Sequence, residues 1–539
     1  MRRGIANSKH ARIFETAIAV ALLTLWSALW IWFFYRQGYL AYYGDAEAHL
    51  NIARRILDSR TPGYDQIGGV WLPLPHLLLL PFARNDTLWR TALAGAIPSG
   101  ICFVVAGAFL FAAARRVFEN TAVAAAALAV FALNPNVLYL QATAMTEPLF
   151  MAALMAILYC TVRFSDTQSW ASVSGAGAAA LCGTLARYEG WFLLPFVTLF
   201  VLLAARQRRV AKAALFAAIA SLGPLYWLGH NWWCCSNVLD FYNGPYSPKA
   251  IQGAAHYPGL GDWGKAWLYF RTAARWFAGT PLLWLGAAGL LACAAFRKAR
   301  WPALLLVLPA AFYVWSMHSS GTPIYVPDLW PNSYYNTRYG LALFPSLALG
   351  AAALAALAPA RARPAAALAV AAIAAAPWLV HPRPEAWITW KESQVNSVAR
   401  RAWTRQAADF LATRYRAGSG VFTTFGDITG IYRHAGIPLR DTLTWDNWPL
   451  WPAAIARPDL FLWEEWAVVR GGDPVQSALL RAGFRGPRYE LVKIVTVPGA
   501  PAIEIYHCCI GVASGSSNDA NPIHQSAWSK ERFPADMEK

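Results

Sequence analysis

The stretch Gly44 to Leu57, GDAEAHLNIARRIL, packs two acids, a histidine and two arginines between apolar segments. If it is a helix beginning near Gly44, then Asp45, His49, Ile52 and Ile56 share one face, and Glu47 points elsewhere because residues two apart diverge by about 200°. A carboxylate within reach of a substrate hydroxyl can take its proton as a general base. The competing reading makes Asp45 an ordinary first-turn acid, favoured by the helix dipole. Catalytic weight falls on Asp45, with His49 as the neighbour that orients it or touches substrate and Glu47 as the second acid of the cluster.

Other polar residues sit where apolar runs begin or end. Arg187 and Glu189 lie in TLARYEGWFLLP, Glu147 opens MTEPLF, and Arg338 and Tyr339 open NTRYGLALFP. Arginine suits a phosphate because its planar fork makes paired hydrogen bonds, so Arg54, Arg55, Arg187, Lys249 and Arg338 are the candidate anion binders. Snorkelling to headgroups is the alternative for an arginine at a helix end. Glu147 precedes Pro148, a usual helix start, and Glu189 can be the counter-ion of Arg187.

These residues must be positioned by a membrane protein. The chain of 539 residues is 57% hydrophobic with 14% charged residues, outside the usage of soluble domains. Eleven apolar segments are long enough to be read as spans, near 13–35, 91–113, 119–139, 148–163, 170–186, 191–205, 211–230, 280–296, 301–317, 338–358 and 364–380. If the amino terminus is cytoplasmic, Arg115, Arg116, Arg163, the knots at 206–212 and 297–300, Arg361 and Arg363 all fall inside as well. The net charge of +17 is thereby a topology signal; no basic stripe with interleaved aromatics points to nucleic acid. Segment 70–82, with three prolines, is expected to be re-entrant or interfacial. The fold class expected is mostly α, a polytopic helical bundle over 1–384, followed by a small extracytoplasmic α/β domain over 385–510 and a disordered tail over 511–539. The doublets Cys234-Cys235 and Cys508-Cys509 could pair in an oxidising compartment.

Residues 45 to 56, with Asp45, His49, Ala53 and Ile56 at offsets of four, eight and eleven, resemble the first-loop signature of the type C integral membrane glycosyltransferase superfamily, whose members include protein O-mannosyltransferases and aminoarabinose transferases of family 39. The family pattern has a second acid where Ala46 stands and a tyrosine where His49 stands. WLPLPHLLLLP (71–81), TLARYEGWFLLP and NTRYGLALFP resemble later family segments in the same order. The resemblance implies an inverting, mannosyltransferase-like enzyme. It would move a sugar from a polyprenyl-phosphate donor to a hydroxyl of a protein, lipid or glycan acceptor at the extracytoplasmic face, with Asp45 as general base. Membrane lipids are its other partners, and alanine and arginine richness lean toward the inner membrane of a bacterium, with the site on the periplasmic face. Some members of the superfamily use a divalent cation with acids of the first outer loops, which keeps that alternative open, but Asp45 and Glu47 diverge on a helix and would not chelate together, so no tightly bound metal and no cofactor are expected. The rival is a transporter of lipid-linked sugars, which would place ionisable residues on broken helices near the bilayer midplane.

Overall fold

The computed structural model describes residues 2–508 apart from Ala254, Ser320 and Phe425, with side chains described from Arg12 onward except at 484 and 485. The expected tail and Cys509 lie outside the described residues; within them no disulfide forms.

All eleven apolar segments are helical. Seven of the described helices are long and apolar enough to cross a membrane: Arg12–Arg36, Leu93–Phe118, Glu147–Thr167, Arg209–Cys235, Arg300–His318, Thr337–Leu357 and Arg363–Val380. An eighth expected span, 280–296, is the second arm of a pair, Trp263–Ala278 and Thr280–Ala295, bent by 110°. The remaining three, Thr121–Ala132, Trp170–Thr184 and Glu189–Ala204, have 12, 15 and 16 residues. At 1.5 Å per residue they rise about 18–24 Å, short of a hydrocarbon core of about 30 Å. Asparagines cause the first of these differences: the side chains of Asn120 and Asn134 cap two successive helices and so divide 119–139.

Close helix contact is bought with glycine. A Cβ on Gly289 would overlap the Gly350 carbonyl oxygen, and one on Gly350 would overlap that of Gly286, so these two helices approach backbone to backbone, as small residues allow in membranes. The proline-rich segment is too short to span. It forms a helix, Pro73–Ala83, in which Pro73 and Pro75 occupy the first turn and Pro81 alone sits inside; a first-turn proline removes only a donor that has no helical partner.

Basic residues gather at one end of the bundle. Arg115 pairs with Glu15 at 2.9 Å, Arg116 with Asp166 at 3.5 Å, and Lys298 with Glu119 at 2.7 Å and Asp166 at 3.5 Å. The first-loop helix, Gly44–Leu57, lies at the other end, with the C-terminal unit packed against it.

That unit begins with a long helix, Ile388–Ala412, whose start is anchored by the buried Trp387, Ile388 and Trp390. A five-stranded sheet follows: β1 (Val421–Thr423), β2 (Thr442–Leu443), β3 (Trp466–Arg470), β4 (Tyr489–Val495) and β5 (Ile503–Cys508), in the order β2-β1-β3-β5-β4. β1 is parallel to β2 and β3, and β5 is antiparallel to β3 and β4. Phe422, Leu443, Ala467 and Val469 from the strands pack on Val475, Ala478 and Leu479 from the Pro474–Arg485 helix, a small core of its own.

Candidate active site

The first-loop helix is favoured at both ends. Asp45 and Glu47 stand in its first turn and Arg54 and Arg55 in its last, the arrangement that complements the helix dipole. Its faces then carry different partners, as the spacing requires.

Asp45 accepts a hydrogen bond from Arg338 Nη2 at 2.7 Å, and its side chain stays 45% exposed. Arg338 is held tightly: Nε donates to Glu147 at 3.1 Å and Nη1 to Glu392 at 2.7 Å. The Glu392 carboxylate also receives the Arg338 backbone N–H at 3.0 Å and the Thr337 hydroxyl at 2.5 Å. Tyr43 and Tyr339 flank the guanidinium at 5.2 and 5.1 Å, contacts that suit a cation over an aromatic face. The helix starting at Glu147, with Pro148 in its first turn, delivers that glutamate between two arginines.

Arg187 is the second. It meets Glu147 at 3.1 Å, Glu189 at 2.6 Å, the Thr146 hydroxyl at 2.5 Å and the Tyr313 hydroxyl at 2.7 Å; Tyr313 donates to Glu189 at 2.5 Å. Asp45, Arg338, Glu147, Arg187, Glu189 and Tyr313 thus form one connected chain, with Glu392 bracing it from the C-terminal unit. Two arginines face four carboxylates, and every guanidinium nitrogen of both already has a protein acceptor. The pair positions acids.

The other sequence candidates go elsewhere. His49 faces the way Asp45 does but bonds to His76, Nδ1 to Nε2 at 2.9 Å, beside Trp71. Burial, above all, depresses His49 to about 4 and drives His76 well below the usual imidazole range, so both rings are neutral at pH 7 and one donates to the other. No hydrogen bond to Asp45 accompanies this arrangement among the described contacts, which removes the orienting part expected of His49. Glu47 is also corrected: it forms a buried two-pronged pair with Arg433 at 2.6 and 2.7 Å. Burial raises its carboxyl, but the Arg433 guanidinium outweighs this and holds it below the ordinary range. Glu47 ties the loop to the C-terminal unit.

Arg54 is turned to Asp58 at 2.8 Å, Asp86 at 3.3 Å and two carbonyls of the Pro73–Ala83 helix end. Arg55 bridges Asp446 of the C-terminal unit and the Gln66 carbonyl, both at 2.8 Å. Lys249 lies exposed over Tyr242 at 5.0 Å. None of the three joins the Asp45 cluster; two are structural ties because a buried guanidinium takes the nearest acids. Among the described residues no group of three metal-ligating side chains converges.

Sequence reasoning missed Glu392, Arg433 and His76. Glu392 was within reach: it falls four residues after Ile388, on the buried face of its helix, where an acid needs a partner.

A family model described as dolichyl-phosphate-mannose-protein mannosyltransferase matches residues 89–233. No curated protein sequence matches. Among solved structures, ArnT from Cupriavidus metallidurans bound to undecaprenyl phosphate aligns with a TM-score of 0.56 at 14% identity, over 90% of this chain and 97% of that one. Its apo form aligns at 0.50 with 14% identity, over 85% and 93%. An apo oligosaccharyltransferase from Archaeoglobus fulgidus gives 0.47 at 12% identity, over 84% and 69%. The chain is a multi-pass integral membrane protein, and the matched stretch together with a shape shared along nearly all of its length give it the fold of the type C integral membrane glycosyltransferase superfamily.

Proposed function

We propose that the protein transfers a sugar from a polyprenyl-phosphate carrier to an acceptor hydroxyl, with Asp45 as the general base. One observation carries this: Asp45 is the member of the buried acid chain that keeps open surface, and Arg338 fixes its carboxylate while Glu147 and Glu392 fix Arg338. A carboxylate so held can receive the acceptor proton without first reorganising. The acceptor oxygen then bonds to the anomeric carbon, the carbon–oxygen bond to the carrier phosphate breaks, and its electron pair leaves on the phosphate. A single displacement inverts the anomeric centre. The phosphate is a good leaving group and requires no proton.

Support also comes from placement. The acid chain sits where helices begin, at Gly44, Glu147 and Thr337, and opposite the basic knots. By the positive-inside preference this is the non-cytoplasmic face, the periplasmic one in a bacterium. A transporter would carry such residues at mid-membrane. The donor class follows the undecaprenyl phosphate bound by the similarly folded ArnT. Mannose is the sugar named by the matched family model, and the acceptor is a protein, lipid or glycan of the cell envelope. The lipid-linked sugar is the donor substrate, and no resident cofactor enters the reading.

The test is mass spectrometry of glycolipids, glycoproteins and envelope glycans from cells lacking the gene, complemented with wild type or Asp45→Asn. A glycosylated species should vanish on deletion and return with wild type only, at equal protein levels. Return with Asp45→Asn overturns the assignment.

A further inference from the structure

A cavity of about 300 Å³ lies apart from the Arg338 network. It lies on the other side of the first-loop helix. Its floor is the chain from Tyr35, in the last turn of the Arg12–Arg36 span, to Tyr42, and its walls are the Ile388–Ala412 helix and the segment around Arg433.

Five arginines line it: Arg90, Arg400, Arg401, Arg405 and Arg433. Against them stand two carboxylates, Glu47 and Asp427. Glu47 is taken by Arg433. Arg90 has only Asp86 at 3.9 Å, and the side chains of both are about half exposed. Arg400 donates to the carbonyls of Tyr42 and Ala41 at 2.5 and 3.4 Å. Arg401 stacks 3.8 Å over Tyr42 and donates to the Ser397 hydroxyl. None of Arg400, Arg401 and Arg405 has a carboxylate within ion-pair distance among the described residues. Arg400 and Arg401 on one turn of a helix and Arg405 on the next therefore give a single concave space at the end of a membrane span, lined by five arginines and two carboxylates, an excess of positive charge.

Such an arrangement has an electrostatic cost in the free protein and a purpose in a complex. Like charges held together repel, and arginine at the face opposite the basic knots runs against the usual loop bias. Planar forks already oriented by carbonyls and an aromatic ring, with other N–H groups left over, suit a tetrahedral oxyanion. We propose that this cavity binds a phosphate-bearing anion at the membrane surface, through Arg400, Arg401 and Arg405, as a site separate from the Asp45 cluster. The inference goes beyond the glycosyl-transfer reading and does not depend on it.

The experiment is calorimetric titration of the full-length protein in neutral detergent with sodium pyrophosphate and, in a second arm, with dioctanoyl phosphatidic acid. Both probes bind if the phosphate group alone is recognised; only the lipid binds if the source is a headgroup. Either result supports the site. Replacing Arg401 and Arg405 together by glutamine weakens binding by about tenfold or more, the loss expected for charge-assisted hydrogen bonds. The single exposed change Arg405→Gln gives a smaller loss and guards against misfolding of the double variant. Asp45→Asn leaves binding within about twofold. Absence of binding by both probes, unchanged binding in the double variant, or an equal loss in Asp45→Asn overturns the proposal.

Discussion

Two groups of arginines lie on opposite sides of one short helix and differ in what surrounds them. Arg187 and Arg338 are buried and outnumbered by acids. Arg400, Arg401 and Arg405 line an open cavity with no paired acid among the described residues. The same side chain thereby has two uses: neutralised, it fixes the geometry of a carboxylate; left un-neutralised, it attracts an anion. Net charge cannot distinguish these, since both groups add equally to +17.

The comparison can be broken first at Arg338. Arg338→Gln should destabilise the protein by about 3–5 kcal/mol, because removing one partner strands buried charge on Glu147 and Glu392. Thermal melting in detergent measures this, and a wild-type melting temperature would show that the arginine is no clamp. Glu47→Gln should cost about 3 kcal/mol for the same reason at Arg433, seen as faster hydrogen exchange in Gly430–Ala435. Unchanged protection there would detach Glu47 from the C-terminal unit.

A pH series sharpens the contrast, since arginine does not titrate and the His49–His76 pair does. Both histidines bind protons more weakly when folded, so between about pH 6.5 and 4 the unfolded chain holds more protons. Stability is complete above 6.5 and falls as the pH drops towards 4, by on the order of 1–3 kcal/mol. His49→Gln with His76→Gln should flatten that slope; an equally steep slope in the double variant assigns it to other groups. At the bottom of the scale, Arg405→Gln should alter stability by less than about 0.5 kcal/mol, and a drop like that of Arg338→Gln would erase the distinction between the two groups.

The bundle was readable from the sequence because apolar length and basic flanks are local properties, and each of the eleven expected segments is helical. The helix at 73–83 was harder to read, because the effect of proline depends on whether it falls in a first turn or an interior one, which needs the helix start. For the site, periodicity correctly separated Asp45 from Glu47, and the positions of Glu147, Arg187 and Arg338 at helix starts brought them into one network. Periodicity does not show which partner a face meets. His49 found His76, twenty-seven positions on, and Glu47 found Arg433, 386 positions on. The first pairing belongs to the packing of the loop against the Pro73–Ala83 helix, the second to that of the C-terminal unit against the loop. Arg400, Arg401 and Arg405 look in sequence like the solvated face of a helix, and only the cavity distinguishes them.

Gly44 stands between the two regions: a Cβ there would lie 3.1 Å from an Arg400 guanidinium nitrogen. The helix it opens has 14 residues, about 21 Å at the usual rise, and is pinned near its start on one flank through Asp45 and on the other through Glu47. A rod fastened so close to its tip cannot tilt on one flank alone. Any shift of the sheet-bearing unit that draws on Glu47 must therefore swing the Asp45 carboxylate as well, giving that unit a mechanical grip on the acid.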